Sequence, residues 1–234
     1  MPRLARIVIP GCPHHVTQRG NHRRNVFFAD SERDFYLTLQ RKYFLLWHVQ
    51  CAGYALMTNH THHVLVPGQA DSLARGVGRL NNDFARWQHI QRNLTGHLWQ
   101  NRFFSCPTDE DHFWMALRYI ELNPVRTGLV KCPWEWPWSS ALAHVTGRDT
   151  TGLLDMDLWR QRFNGDQWKT FLEAGLDDEG TNDLLRLATR TGRPLGSEEF
   201  ILRLEALTGK RLRRQKPGPK PGSARIGVAN SGVA

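Results

Sequence analysis

The chain is 234 residues long, with 40% apolar and 10% aromatic side chains and nine tryptophans, enough apolar material for a folded core, so wholesale disorder is excluded. Its 31 Lys and Arg against 22 Asp and Glu give a formal charge of +9, which points to a polyanionic partner, nucleic acid first. No apolar run approaches the ~18 residues of a spanning helix and the first ten residues carry no export pattern, so a cytoplasmic, nucleoid-associated protein without a membrane partner is expected. Four scattered cysteines (Cys12, Cys51, Cys106 and Cys132) without C-x-x-C spacing argue against a disulfide framework or a structural zinc site.

In chain order, His14 to Arg19 reads as a short strand. Ser31 or Asp30 can cap a helix from about Glu32 to Trp47, with Phe35, Leu39, Tyr43 and Leu46 as its buried stripe. Val49–Met57 and His60–Val66 form a hairpin about Thr58-Asn59. A second helix spans Ser72 to about Arg92, burying Leu73, Val77, Leu80, Phe84 and Trp87. His97–Cys106 reads as a strand. A third helix follows Thr108 as N-cap and should end near Asn123, because Pro124 disfavours helical geometry in the residue before it. Thr181–Thr191 and Ser197–Thr208 read as two further helices, the second closed by Gly209. The order β-α-β-β-α-β-α predicts an α+β domain: an antiparallel sheet with helices mainly on one face, followed by a helical extension. The short Gly192-containing link also permits a helix-turn-helix arrangement, with an appendage packed on the first domain as the alternative.

Charge is unevenly spread. Residues 1–106 carry a balance of +8, residues 107–208 of −6, and residues 209–234 of +7 with no acid among them. The last block, rich in Pro and Gly, reads as a disordered basic tail able to add salt-dependent affinity for a phosphate backbone.

Three histidines crowd into Asn59-His60-Thr61-His62-His63. On a strand His60 and His62 share a face while His63 points the other way, so the first two can grip one cation, although an H-x-H pair alone is a weak signal. On the third helix, at 100° per residue, His112, Tyr119 and Asn123 lie within about 40° of each other, a polar strip beside the buried face.

These residues carry a family resemblance. Tyr54-Ala-Leu-Met-Thr-Asn-His-Thr-His-His-Val-Leu-Val-Pro67 resembles the HUH strand of single-tyrosine transposases, the insertion-sequence-200-like group. His97-Leu-Trp-Gln-Asn-Arg-Phe-Phe-Ser-Cys106 and Arg118-Tyr-Ile-Glu-Leu-Asn-Pro-Val-Arg-Thr-Gly-Leu-Val130 resemble two further motifs in the same order. The opening Ile9-Pro-Gly-Cys-Pro-His-His-Val-Thr-Gln-Arg-Gly-Asn21 is similar to the subgroup associated with repetitive extragenic palindromes (REP). The resemblance spans roughly residues 3–145 and implies a ferredoxin-like catalytic domain over 1–147, a helical extension over 148–209 and the tail over 210–234. It implies Tyr119 as nucleophile, His60, His62 and Asn123 as ligands of a divalent ion (Mg2+ or Mn2+), and hairpin-forming single-stranded DNA as partner. The subgroup favours a monomer over a homodimer. Two departures stand out: Thr61 where the family is usually apolar, and Asn101 where it often has Gly.

DNA contacts are expected from His14, Arg19, Arg23, Arg24, Arg79, Arg86 and Arg102, with Arg3, Arg6 and Arg75 as further candidates. The implied reaction cuts and rejoins single-stranded DNA through a 5′-phosphotyrosine, without a nucleotide triphosphate. The principal alternative is a non-catalytic DNA-hairpin-binding regulator with the same fold. A hydrolase of small substrates would not need +8 over its first 106 residues, and a replication-type or relaxase-type HUH nuclease commonly comes with other modules.

Overall fold

The computed structural model describes residues 6–93, 95–176 and 179–213. Four strands form one antiparallel sheet: β1 (His14–Arg19), β2 (Val49–Leu56), β3 (His60–Pro67) and β4 (Phe104–Pro107), in spatial order β2-β3-β1-β4. Each β-α-β connection crosses one strand, by way of α1 (Asp30–Leu46) between β1 and β2 and α2 (Ser72–Arg92) between β3 and β4. The chain continues through α3 (Glu110–Arg126), α4 (Ala141–Thr146), α5 (Met156–Arg160), α6 (Gly165–Glu173), α7 (Glu179–Thr191) and α8 (Glu198–Thr208). The α+β class and the antiparallel sheet are as the sequence predicts.

Helices cover both faces of the sheet rather than mainly one. Val16, Tyr54, Leu56 and Leu65 pack against α1 and α2, while Ala52, Val64 and Cys106 pack against α3 and the extension. The strands alternate their side chains, and β2 and β3 are buried on nearly every residue, so neither face can be left to water. Gly53 lets α3 approach the sheet: a Cβ there would collide with Leu117 Cδ1 and lie 2.8 Å from Ser140 Oγ.

Four local expectations change. Helix α1 starts at Asp30 with neither Ser31 nor Asp30 as its cap. Ala29 is the N-cap, and the Glu32 carboxylate reaches back to accept from the Phe28 (2.6 Å) and Ala29 (3.4 Å) N–H groups. The stripe of α1 runs through Tyr36, Leu39, Tyr43 and Phe44, leaving Leu46 exposed. Most of 97–103 is loop, not strand. Trp99 donates its indole N–H to Asn81 C=O (2.8 Å) and bridges only to Gly20, which holds the segment to α2 until β4 begins at Phe104. Finally, α3 is capped by Asp109, whose carboxylate accepts from the His112 N–H (3.0 Å), and it runs through Pro124 to Arg126. Burial of Leu122 and Pro124 holds the last turn in place, and the Thr127 N–H to Asn123 C=O bond (3.0 Å) resumes the helical ladder past the proline.

The extension anchors on α3. Trp168 is fully buried, contributing about 4–6 kcal/mol by area, and donates to Glu121 Oε2 (2.8 Å). The other Glu121 oxygen accepts from Ser140 Oγ (2.5 Å) and His144 Nδ1 (2.6 Å), tying α3 to α4 and α6. The pair α7–α8 packs on the first domain: α7 lies against β4, β1 and α3, and the loop after it joins β4 through the Leu195 N–H to Pro107 C=O bond (2.9 Å). Ser197 caps α8 and Gly209, at φ +64°, closes it. Residues 210–213 still pack on this body, with Leu212 buried beside Ile7, Phe200 and Leu204. The rest of the expected tail, 214–234, and Arg3 lie outside the described residues. Among the described residues no helix is long and apolar enough to cross a membrane.

Candidate active site

Strand alternation and register fix which side chains meet. Thr17 stands opposite His62, Arg19 opposite His60 and His15 opposite Val64, so His15, Thr17, Arg19, His60 and His62 all face α3. There His62 meets Tyr119 edge-on, with ring centroids 5.7 Å apart. His60 lies 4.8 Å from His62, and the His15 ring runs parallel to that of His62, edge to edge with centroids 5.2 Å apart and Nε2 3.0 Å from His62 Nδ1, while meeting Tyr119 edge-on at 5.9 Å.

Beside these rings opens a cavity of about 580 Å3, lined by Thr17, Phe104, His62, Tyr119 and the guanidinium-bearing Arg19, Arg23, Arg186 and Arg190, among others. Arg186 comes from α7 and its Nε–H points to the Tyr119 hydroxyl (3.3 Å). Burial, with Arg23 nearby, holds the Arg19 guanidinium below its usual range. The cavity is a cationic hollow with one phenol at its wall, suited to a phosphate backbone.

The sequence-expected residues divide. His62, Tyr119, Arg19 and Arg23 line the cavity, and His60 adjoins it through His62. Asn123 does not line it. Buried one helical turn beyond Tyr119, it donates its Nδ2–H to the Tyr119 C=O (2.9 Å). Arg86 and Arg102 line a separate cleft with His89, Trp99 and Asn101, about 690 Å3 in volume. Arg24 and Arg79 are exposed and line neither, and Arg75 pairs with Asp71 (2.7 Å). Arg6 stacks on the Phe103 ring. His112 pairs with Asp109 at the start of α3, away from Tyr119. His14 requires correction as a DNA contact: it is fully buried on the opposite face, Nδ1 on Cys12 C=O (2.7 Å) and Nε2 accepting from the Ile9 N–H (3.3 Å).

Sequence reasoning missed His15, Arg186, Thr189 and Arg190. His15 had a usable signal, since only one of two successive strand histidines can share the H-x-H face. The α7 residues had none, because their proximity comes from packing alone.

The donor chemistry of the two imidazoles fits a divalent ion. Asn59 uses its Nδ2–H on Arg23 C=O (3.0 Å), so its Oδ1 must accept from His60 Nδ1 (2.6 Å), leaving His60 Nε2 with a bare lone pair. Burial, with the Arg19 charge, pushes the His60 pKa down to about 3, and burial, with the adjacent imidazoles and Arg19 opposing a further positive charge, holds His62 well below its ordinary range. Both rings are therefore neutral at pH 7, as ligation requires. The Asn123 amide, with Nδ2 committed to Tyr119, has Oδ1 as its remaining acceptor. Among the described residues no three His, Cys, Asp or Glu side chains gather as a metal site, so this set rests on two imidazoles and an amide.

Residues 9–123 match the family described as transposase IS200 like. No curated protein matches the chain by sequence. Among solved structures the chain resembles a REP-associated tyrosine transposase bound to a REP hairpin, with a TM-score of 0.53 and 22% identity over 67% of this chain and 90% of that one. A candidate transposase from Deinococcus radiodurans R1 aligns at 17% identity over 51% of this chain and 96% of that one, with a TM-score of 0.36.

Proposed function

Because residues 9–123 place this chain in the IS200-like transposase family, whose members cleave DNA, we propose that it cuts and rejoins single-stranded DNA at hairpin-associated sites, with Tyr119 as nucleophile. The observation that carries this reading is the Tyr119 hydroxyl at the wall of a cavity shared with His62 and four arginines.

Arg19, Arg23 and Arg190 hold the phosphates flanking the scissile bond, and Arg186 orients the phenol toward phosphorus. The Tyr119 Oη–P bond forms as the P–O3′ bond breaks, and the phenolic proton is transferred, in net terms, to the departing 3′ oxygen. The products are a 3′-OH and a 5′-phosphotyrosine, which keeps the phosphodiester energy for rejoining. His60, His62 and Asn123 would hold Mg2+ or Mn2+, which when bound supplies a positive charge beside the non-bridging phosphate oxygens. Tyr119 and His62 meet within one chain, which supports a monomeric site. The 22%-identical structure is bound to a REP hairpin, and the opening motif resembles the REP-associated subgroup, so a hairpin beside a short single strand is the proposed substrate.

The test is incubation of the full chain with labelled single-stranded hairpin DNA and Mg2+ or Mn2+, followed by a denaturing gel. A denaturation-resistant protein–DNA band that is lost in Tyr119→Phe is expected. Hairpin binding without any such band in the wild type would favour the non-catalytic regulator.

A further inference from the structure

The helical extension reaches the sheet histidines through a chain of hydrogen bonds whose proton positions are fixed by its far end. Thr189 on α7 has its Oγ1 2.8 Å from the Leu185 C=O. A carbonyl carries no proton, so that contact uses the single hydroxyl hydrogen of Thr189. Thr189 Oγ1 is then only an acceptor toward His15 Nδ1, 2.6 Å away, which must carry a hydrogen. A neutral imidazole has one N–H, so His15 Nε2 is bare. His15 Nε2 lies 3.0 Å from His62 Nδ1, and that contact needs one proton, which must sit on His62. His62 is left with its lone pair on Nε2. Cys106 Sγ, 3.4 Å from Thr189 Oγ1, is compatible with this order because the hydroxyl oxygen has a second lone pair for it. His15 and Thr189 are 1% and 3% exposed, so water does not offer a substitute partner at either link.

We infer that Thr189 and His15 are positioning residues that lock His62 in the Nδ1–H tautomer, making Nε2 its metal-binding atom. The extension is thereby part of the site's construction and not only a weight packed on the first domain. No proton is gained or lost along the chain; both rings stay neutral, and only the choice of nitrogen is set. Removing the Thr189 hydroxyl deprives His15 Nδ1–H of its acceptor and favours the other His15 tautomer. Its Nε2–H would then face His62 Nδ1 and move the His62 proton to Nε2, where it blocks ligation. The other ligand, His60, takes its order independently from Asn59, so the loss falls on one of the two imidazoles.

The inference rests on the reading of His62 as a metal ligand, and its test separates the two. The His62 tautomer is read by long-range 1H–15N correlation on the full chain with 15N-labelled histidine, without metal or DNA. Mn2+ binding is then titrated calorimetrically on the same samples. The wild type should show His62 protonated on Nδ1. Thr189→Val should shift it toward the Nε2–H form and weaken Mn2+ binding about tenfold, and Thr189→Ser should restore both. An unchanged His62 tautomer in Thr189→Val, or no recovery in Thr189→Ser, overturns the inference. If Thr189→Val fails to fold, His15→Phe serves in its place: loss of the pure Nδ1–H form is expected, and its persistence overturns the inference. A protein that forms no DNA adduct would refute the proposed reaction while leaving the tautomer result standing.

Discussion

His62 and His63 are neighbours in sequence and have opposite surroundings. His63 faces α1, fully buried, with Nε2 on Gln40 Oε1 (3.1 Å) and Tyr36 and Phe44 against its ring. His62 faces α3 and lines an open cavity with a phenol and several guanidinium groups. Both rings are desolvated and neutral, so burial does not separate a packing histidine from a proposed ligand. Each spends one nitrogen, His63 its Nε2 on Gln40 and His62 its Nδ1 on His15; what separates them is that the remaining Nδ1 of His63 is sealed in the core without a partner, whereas His62 lines the cavity. One residue of strand register decides which role each takes.

The largest expected effect that bears on this contrast is on activity. His62→Ala should lower adduct formation by about 10³-fold or more with a small change in Tm, since truncation beside a cavity leaves little void. His63→Ala should do the reverse, lowering stability by about 2–4 kcal/mol while the folded fraction still forms adduct. Parallel urea melts and single-turnover cleavage would break the comparison if His63→Ala proved the more damaging to cleavage per folded molecule.

A second test uses the sealed face alone. Burial pushes the His14 pKa down to about 4, from an ordinary 6.5. Between those values the unfolded chain binds a proton that the folded chain refuses, so His14 makes stability rise with pH and fall on acidification. Its share is about 1.4 kcal/mol per pH unit, lost progressively from pH 6.5 to about 4. The stability–pH slope in His14→Gln should be shallower by that amount, and an unaltered slope would show that His14 is not held neutral.

The smallest effect is expected at Arg186. Its hydrogen bond to the Tyr119 hydroxyl, from an exposed guanidinium, orients the phenol without closing the site. Arg186→Ala should slow cleavage by about tenfold with DNA affinity reduced by less than that. A loss confined to affinity would place Arg186 in phosphate binding only.

Much of the fold was legible because the periodicity was strong. Leu73, Val77, Leu80 and Phe84 mark α2 over the observed Ser72–Arg92, and Thr58-Asn59 sits at the turn of the β2–β3 hairpin. Pro124 misled, because a local backbone preference gave way to burial of the last turn of α3. In the site, strand alternation and helical spacing singled out His62 and Tyr119 as polar positions, and the family resemblance supplied the roles proposed for them. His14 was chosen where its neighbour His15 faces α3, a one-residue error that strand alternation turns into the wrong face. Arg186 and Thr189 lie 67 and 70 positions after Tyr119 on a helix whose local pattern says only that one side is buried. Their meeting with Tyr119 and His15 is a product of tertiary packing, which no window of sequence contains.

The central claim is that the chain joins itself to DNA through the one phenol facing the histidine cavity. The most direct measurement is tryptic peptide mapping of the denatured protein–DNA adduct after nuclease trimming. The account predicts a single nucleotide-bearing peptide, Tyr119–Arg126, with the 5′ phosphate on Tyr119. A nucleotide on Tyr36, Tyr43 or Tyr54, or on a peptide without Tyr119, would contradict it.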